Sequence, residues 1–75
     1  MSAFGAVLFH TTSAVFRAEK AVAKAHLVGK LIPTPREFSS DCGIALRFDW
    51  GHVEAVPASL TSARVEIAGV HSLPG

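Results

Sequence analysis

The chain has a single cysteine, few charged residues and no long apolar run. One cysteine cannot form a disulfide within the chain, so a 75-residue domain must rely on a well-patterned apolar core. Seven basic residues balance six acidic ones, without the clustered excess that nucleic acid requires. The apolar residues 3–9 are too few, and lack the basic flank, for a signal peptide or a membrane span. A lone cysteine without an export signal indicates the cytoplasm.

Metal-binding and hydrolytic patterns are also missing. Neither a CxxC nor an HxxxH spacing occurs, and Cys42 with the four histidines matches no tetrahedral template, so we predict neither metal nor cofactor. The length allows one domain over residues 1–75, without repeats or linkers. A domain of this size can hardly form the substrate cleft of a Cys-His hydrolase.

The first half of the chain predicts a strand, a helix and a second strand. Residues 3–9 form a strand buried on both faces, in which Gly5 allows a close approach or leaves a bulge. A run of hydroxyl side chains then provides helix N-cap candidates, and the helix over residues 14–25 ends near His26 or at Gly29. Residues 27–33 form the second strand. The apolar positions of one helix face recur at Ala14, Val15, Ala18, Val22 and Ala25.

Pro33 and Pro35 end the second strand, and a polar loop over residues 34–42 follows. The second half of the chain then predicts a strand, a helix and a strand. Residues 43–48 alternate, and Asp49 can cap a helix over residues 50–62 that Pro57 kinks or splits at Val56. The last strand covers residues 64–68, and residues 71–75 form a frayed tail. The inward strand side chains are Ile44, Leu46, Phe48, Val65 and Ile67.

This β-α-β-β-α-β order predicts an α+β, split-βαβ ferredoxin-like sandwich, with two helices on one face of a four-stranded antiparallel sheet. Because strands one and three are central neighbours in that fold, Cys42 should lie near His10, Thr11 and Thr12. The start of the first helix favours an anion such as a thiolate.

Around Cys42, Arg36 would stabilise the thiolate, and Ser39 and Ser40 would donate hydrogen bonds to it. His10 would accept its proton or act as a positive neighbour. Gly43 would leave the sulfur unshielded, whereas the charge of Asp41 opposes ionisation. These residues predict an exposed nucleophilic thiol. The alternatives are a buried structural Cys42, a capping His10, an Arg36 paired with an acid, and serines that only form the turn.

Residues 31–48 contain a Pro33-Thr34-Pro35-Arg36 turn, a serine-rich loop, Cys42-Gly43 and an apolar strand. This pattern closely resembles the signature of a small selenium/sulfur carrier protein-like family. The resemblance implies that Cys42 carries sulfur or selenium as a persulfide or selenopersulfide. It further implies a donor of the desulfurase or selenocysteine lyase type and an acceptor protein, for a carrier that is not an enzyme. The second helix departs from the family at Pro57.

Two rival functions stay open. A ferredoxin-like interaction module, for instance a homodimer, would leave Cys42 incidental, and a sulfur buried by Ile44 and Phe38 would favour it. A redox sensor would need a thiol from a partner, since the chain has no second cysteine.

The basic stripe of Arg17, Lys20 and Lys24 is either a solvated helix face or a docking surface for an acidic partner.

Overall fold

The structure is a computed structural model that describes residues 3–38 and 42–73. Within them, a four-stranded sheet has the order β2-β3-β1-β4, and every neighbouring pair is antiparallel. The predicted ferredoxin-like topology, with strands one and three at the centre, is therefore confirmed. The elements are β1 (Phe4–Leu8), α1 (Thr12–Lys24), β2 (Gly29–Pro33), β3 (Ile44–Asp49), a short 3-10 turn (Trp50–His52), α2 (Ala55–Ser62) and β4 (Gly69–Ser72).

Side chains of the central strand β1 alternate between the two faces of the sheet. Helices α1 and α2 pack on one face, over a core in which the side chains of Val7 and Phe9 are fully buried. The predicted close approach at Gly5 is confirmed, because an added Cβ would lie 2.6 Å from the Trp50 ring. The opposite face carries a smaller cluster made of Ala6, Leu8 and Ala45.

Helix α1 begins where the hydroxyl run predicts. Thr11 is the N-cap, and its Oγ1 accepts a hydrogen bond of 3.2 Å from the backbone N–H of Ala14. The helix ends at Lys24 with Ala25 as its C-cap, and His26 takes the left-handed conformation with φ 60°. The ending near His26 is thus confirmed, whereas the alternative at Gly29 is wrong because Gly29 already begins β2. Ala25 is exposed and does not extend the buried face.

The second helix divides earlier than Pro57 predicts. Asp49 caps a 3-10 turn, since its Oδ1 accepts a 2.8 Å hydrogen bond from Gly51 N–H. After Val53 and Glu54, α2 begins at Ala55, so the split predicted at Val56 is wrong. Pro57 lies in the first turn of α2, where its missing N–H costs nothing because such donors have no partner within the helix.

The last strand is displaced from its predicted position. Arg64 has φ 59°, and residues 65–68 carry the chain from α2 back to the sheet, where Ala68 N–H donates to Leu8 O at 2.7 Å. Strand β4 therefore pairs with β1 only from Gly69 onward, and the predicted strand over residues 64–68 is wrong. The predicted frayed tail is wrong at His71 and Ser72, which belong to β4, and its last two residues, Pro74 and Gly75, lie outside the described residues.

Across the described residues, we find no helix with the length and apolarity needed to cross a membrane.

Candidate functional site

The backbone of Cys42 is held by Thr34, which follows the last residue of β2. The side-chain hydroxyl of Thr34 donates to Cys42 O at 2.9 Å, and its backbone N–H donates to Gly43 O at 3.0 Å. The regular pairing of β2 with β3 ends at Pro33 and Ile44. The backbone hydrogen bond therefore extends the ladder by one step, and both bonds fix the position of the cysteine just before β3.

The sulfur of Cys42 lies at the beginning of α1. Its distance to Thr12 Oγ1 is 4.0 Å, within hydrogen-bonding range for sulfur, and Thr12 is the first residue of the helix. This contact joins residues 30 positions apart in the sequence. The predicted juxtaposition of Cys42 with the start of the first helix is thus confirmed. At this end the helix dipole favours a negative charge, such as that of a thiolate or a persulfide anion.

The prediction of an exposed thiol is wrong. Only 3% of Cys42 is exposed, and the residue belongs to the core cluster between the sheet and the helices. Cys42 precedes Ile44, Leu46 and Phe48 at a spacing of two, and residues at this spacing in a strand point to the same face. That alternation was visible in the sequence, but the polar composition of the preceding loop obscured it.

Gly43 is exposed at the start of β3. A Cβ added there would meet nothing within 4 Å, so crowding does not require glycine at this position. Gly43 was predicted to leave the neighbouring sulfur unshielded. This prediction is wrong, because the side chain of Cys42 packs into the core. Gly43 does present open backbone next to the cysteine.

The charged candidates lie on the outside of the domain. Arg36 is exposed in a turn that is closed by a 3.1 Å hydrogen bond from Phe38 N–H to Pro35 O. His10 is exposed and directly precedes the N-cap Thr11. Their actions on the Cys42 sulfur stay predictions. Ser39, Ser40 and Asp41 lie outside the described residues.

The other end of the loop packs on the opposite face of the sheet. Phe38 is half-buried against the Ala6, Leu8 and Ala45 cluster and stacks on His71, with ring centroids 4.5 Å apart and an interplanar angle of 17°. This contact was not predicted, because His71 was expected in a frayed tail. The role of Thr34 was not predicted either, although a threonine that follows the last residue of a strand can hydrogen-bond to the neighbouring strand.

A metal site does not emerge among residues 3–38 and 42–73, where no three His, Cys, Asp or Glu side chains group closely enough to hold an ion.

A comparison with protein families places the chain in a known family. The model of the family described as "Putative Se/S carrier protein-like" matches residues 4–72, which is nearly the whole chain. The comparisons with curated proteins and with solved structures found no match.

Proposed function

The chain belongs to the Se/S carrier protein-like family, and from this premise we propose that it carries sulfur or selenium on Cys42. One observation supports the choice of this residue above the others. The only sulfur nucleophile in the chain lies beside Thr12 at the start of α1, where the helix dipole stabilises an anion. We propose that the loaded form is a persulfide or selenopersulfide at this position.

The proposed transfer is a thiol exchange. The Cys42 thiolate attacks the outer sulfur of a donor persulfide, and a new S–S bond forms while the S–S bond of the donor breaks. The electron pair of the broken bond leaves with the inner sulfur of the donor, which takes up the proton that Cys42 released. The step therefore needs no external oxidant or reductant. A donor selenopersulfide reacts in the same way through its outer selenium.

Burial imposes a condition on this proposal. Because only 3% of Cys42 is exposed, a donor reaches the sulfur only after a local opening at the start of β3. The Thr34 hydrogen bonds to Cys42 and Gly43 have to loosen in that opening. In the opened state, the exposed side chains of Arg36 and His10 would stabilise the anion and accept its proton.

The proposal also covers the partner proteins of the carrier and its location in the cell. The donor is a protein of the desulfurase or selenocysteine lyase type, and an acceptor protein takes the sulfur or selenium away. The chain holds the group without turning over a substrate, so we propose that it is not an enzyme. The proposed location is the cytoplasm, because a reducing compartment keeps a single cysteine in its thiol form.

The test is the intact mass of the protein after incubation with a cysteine desulfurase and cysteine, or with a selenocysteine lyase and selenocysteine. We expect the wild type to gain the mass of one sulfur or selenium atom, and a reductant to remove it. Cys42→Ala is the control and should gain nothing, while its circular dichroism confirms that it folds. A wild type that gains no mass, with Cys42 also inert to alkylation in the native protein, would overturn the proposal.

The burial of Cys42 favours a second candidate function, an interaction module in which the cysteine is structural. Ile44 packs against the core cluster that contains Cys42, as this alternative expects, but Phe38 belongs to the cluster on the other face. Alkylation separates the two functions. A structural cysteine reacts only when the whole domain unfolds, whereas a carrier cysteine reacts through a local opening that is far more frequent.

A further inference from the structure

A groove runs along the helix layer between α1 and α2. Two concavities of about 500 and 260 Å³ adjoin there, since both are lined by Ala21, Lys24 and Ala63. The floor consists of small side chains, among them Ala25 and Ser59, so the two helices leave room for other side chains between them. The groove is shallow and open to solvent, so a segment of another chain can lie along it.

The groove also gathers positive charge. Arg17, Lys20 and Lys24 line it from α1, which is three of the seven basic residues in a chain of net charge +1. Arg17 also donates to the backbone carbonyl of Arg64 at 3.3 Å and thereby joins the end of α2 to α1. Among the described residues, no Asp or Glu lines either concavity. The charge is therefore not neutralised within the groove.

From this shape and charge we infer that the groove binds an acidic segment of a partner protein. Carboxylates of the segment would pair with Arg17, Lys20 and Lys24, and its small apolar side chains would pack on Ala21 and Ala63. A single-stranded nucleic acid fits less well, because such ligands need aromatic side chains for base stacking. Within the described part of the chain, no aromatic residue lines the groove.

The groove lies on the helix whose first residue contacts the candidate thiol. Arg17 follows Thr12 by five residues, which places it about 7.5 Å further along the axis of α1. A partner seated in the groove would thus reach towards the end of the domain that holds Cys42. That this partner is a sulfur donor or acceptor rests on the proposed function, whereas binding in the groove does not depend on it.

The test is a titration of ¹⁵N-labelled protein with a synthetic poly-glutamate peptide, followed by two-dimensional NMR at low ionic strength. We expect the amide signals of Ala21, Ala25 and Ala63 to shift most. Lys24→Glu should weaken binding roughly tenfold, because it replaces an attraction by a repulsion, and added salt should weaken it further. Lys30→Glu makes the same charge change at an exposed residue of β2 and should leave binding unchanged.

Three results would overturn the inference. The amide shifts could centre on residues outside the groove, or Lys30→Glu could weaken binding as much as Lys24→Glu does. An oligothymidylate could cause the same shifts at a lower concentration than poly-glutamate, which would make the groove a nucleic-acid surface. Repeating the titration with Cys42→Ala keeps the two proposals apart, since groove binding should persist when sulfur loading is abolished.

Discussion

The two faces of the sheet differ in the size and burial of the side chains that pack on them. On the helix-covered face, large side chains such as Phe9, Leu46 and Phe48 are fully buried beneath α1 and α2. On the helix-free face, Ala6, Leu8 and Ala45 form a small cluster whose cover comes from three partly buried side chains, Ile32, Phe38 and Leu73. Stability is therefore concentrated on one face, and the other is closed by single side chains of a strand, a loop and the C-terminal end.

The loop between β2 and β3 connects these unequal faces. Phe38 packs on the helix-free face, whereas Cys42 belongs to the helix-covered core. The core packing holds the sulfur itself, whereas the stack of Phe38 on His71 anchors the other end of the same loop. We expect that releasing this anchor loosens the loop and makes Cys42 more accessible, and the following predictions test how the two faces differ.

The largest effect should come from truncating the helix-covered core. Leu46→Ala removes a fully buried side chain, so we expect it to lower the free energy of unfolding by about 2–5 kcal/mol. Leu73→Ala on the helix-free face should cost only about 1 kcal/mol, because that side chain is only partly buried. Urea denaturation measures both losses. Equal losses would show that the two faces contribute equally.

A matched pair of glycines gives the next largest contrast. In Gly5→Ala the new methyl group would lie within 2.7 Å of the Phe48 and Trp50 rings, so we expect overpacking to cost about 1–3 kcal/mol. In Gly43→Ala the methyl group enters open space, and the change should stay within about 0.5 kcal/mol. Thermal or urea unfolding distinguishes them. A destabilised Gly43→Ala would mean that the start of β3 is more crowded than its geometry indicates.

Removing the cover of the helix-free face should act on the thiol more than on stability. Phe38→Ala loses the stack on His71, worth about 0.5–1.5 kcal/mol, together with some apolar burial. We expect Cys42 in the native protein to react several-fold faster with iodoacetamide, as measured by intact mass over time. Phe16→Ala, at a phenylalanine of α1 that is 51% exposed, is the control and should leave the rate unchanged. A slower or unaltered reaction in Phe38→Ala would place the control of access elsewhere.

The smallest effect concerns the hydrogen bond that fixes Cys42. Thr34→Val keeps the shape of the side chain but removes the 2.9 Å hydrogen bond to Cys42 O, at a cost of about 0.5–1.5 kcal/mol. Alkylation should again accelerate, because this bond has to open before the sulfur becomes accessible. Thr61→Val on the exposed side of α2 serves as the matched variant. If both variants alkylate at the wild-type rate, the Thr34 side chain does not restrain the cysteine.

Much of the fold could be predicted from periodicity. The alternation of Ile44, Leu46 and Phe48 and the helical spacing of Ala14 to Val22 fixed which side chains face the core, because strand and helix periods map directly onto faces. The hydroxyl residues 11–13 predicted the start of α1 through the hydrogen-bonding needs of the first turn, and Thr11 is the one that caps it. Periodicity did not predict the position of β4. Val65 and Ile67 do pack on the core, but the chain was still crossing from α2 to the sheet at that point.

By itself, the sequence determined the order of the elements, their inward faces and the position of Cys42 beside the start of α1. These properties follow from local periodicity, capping and the few ways in which such an order can pair. Only the tertiary structure decided that the Cys42 sulfur is buried and that Phe38 closes the other face against His71. The burial of a residue depends on which side chains from distant parts of the chain pack against it. The polar composition of a loop does not predict those contacts.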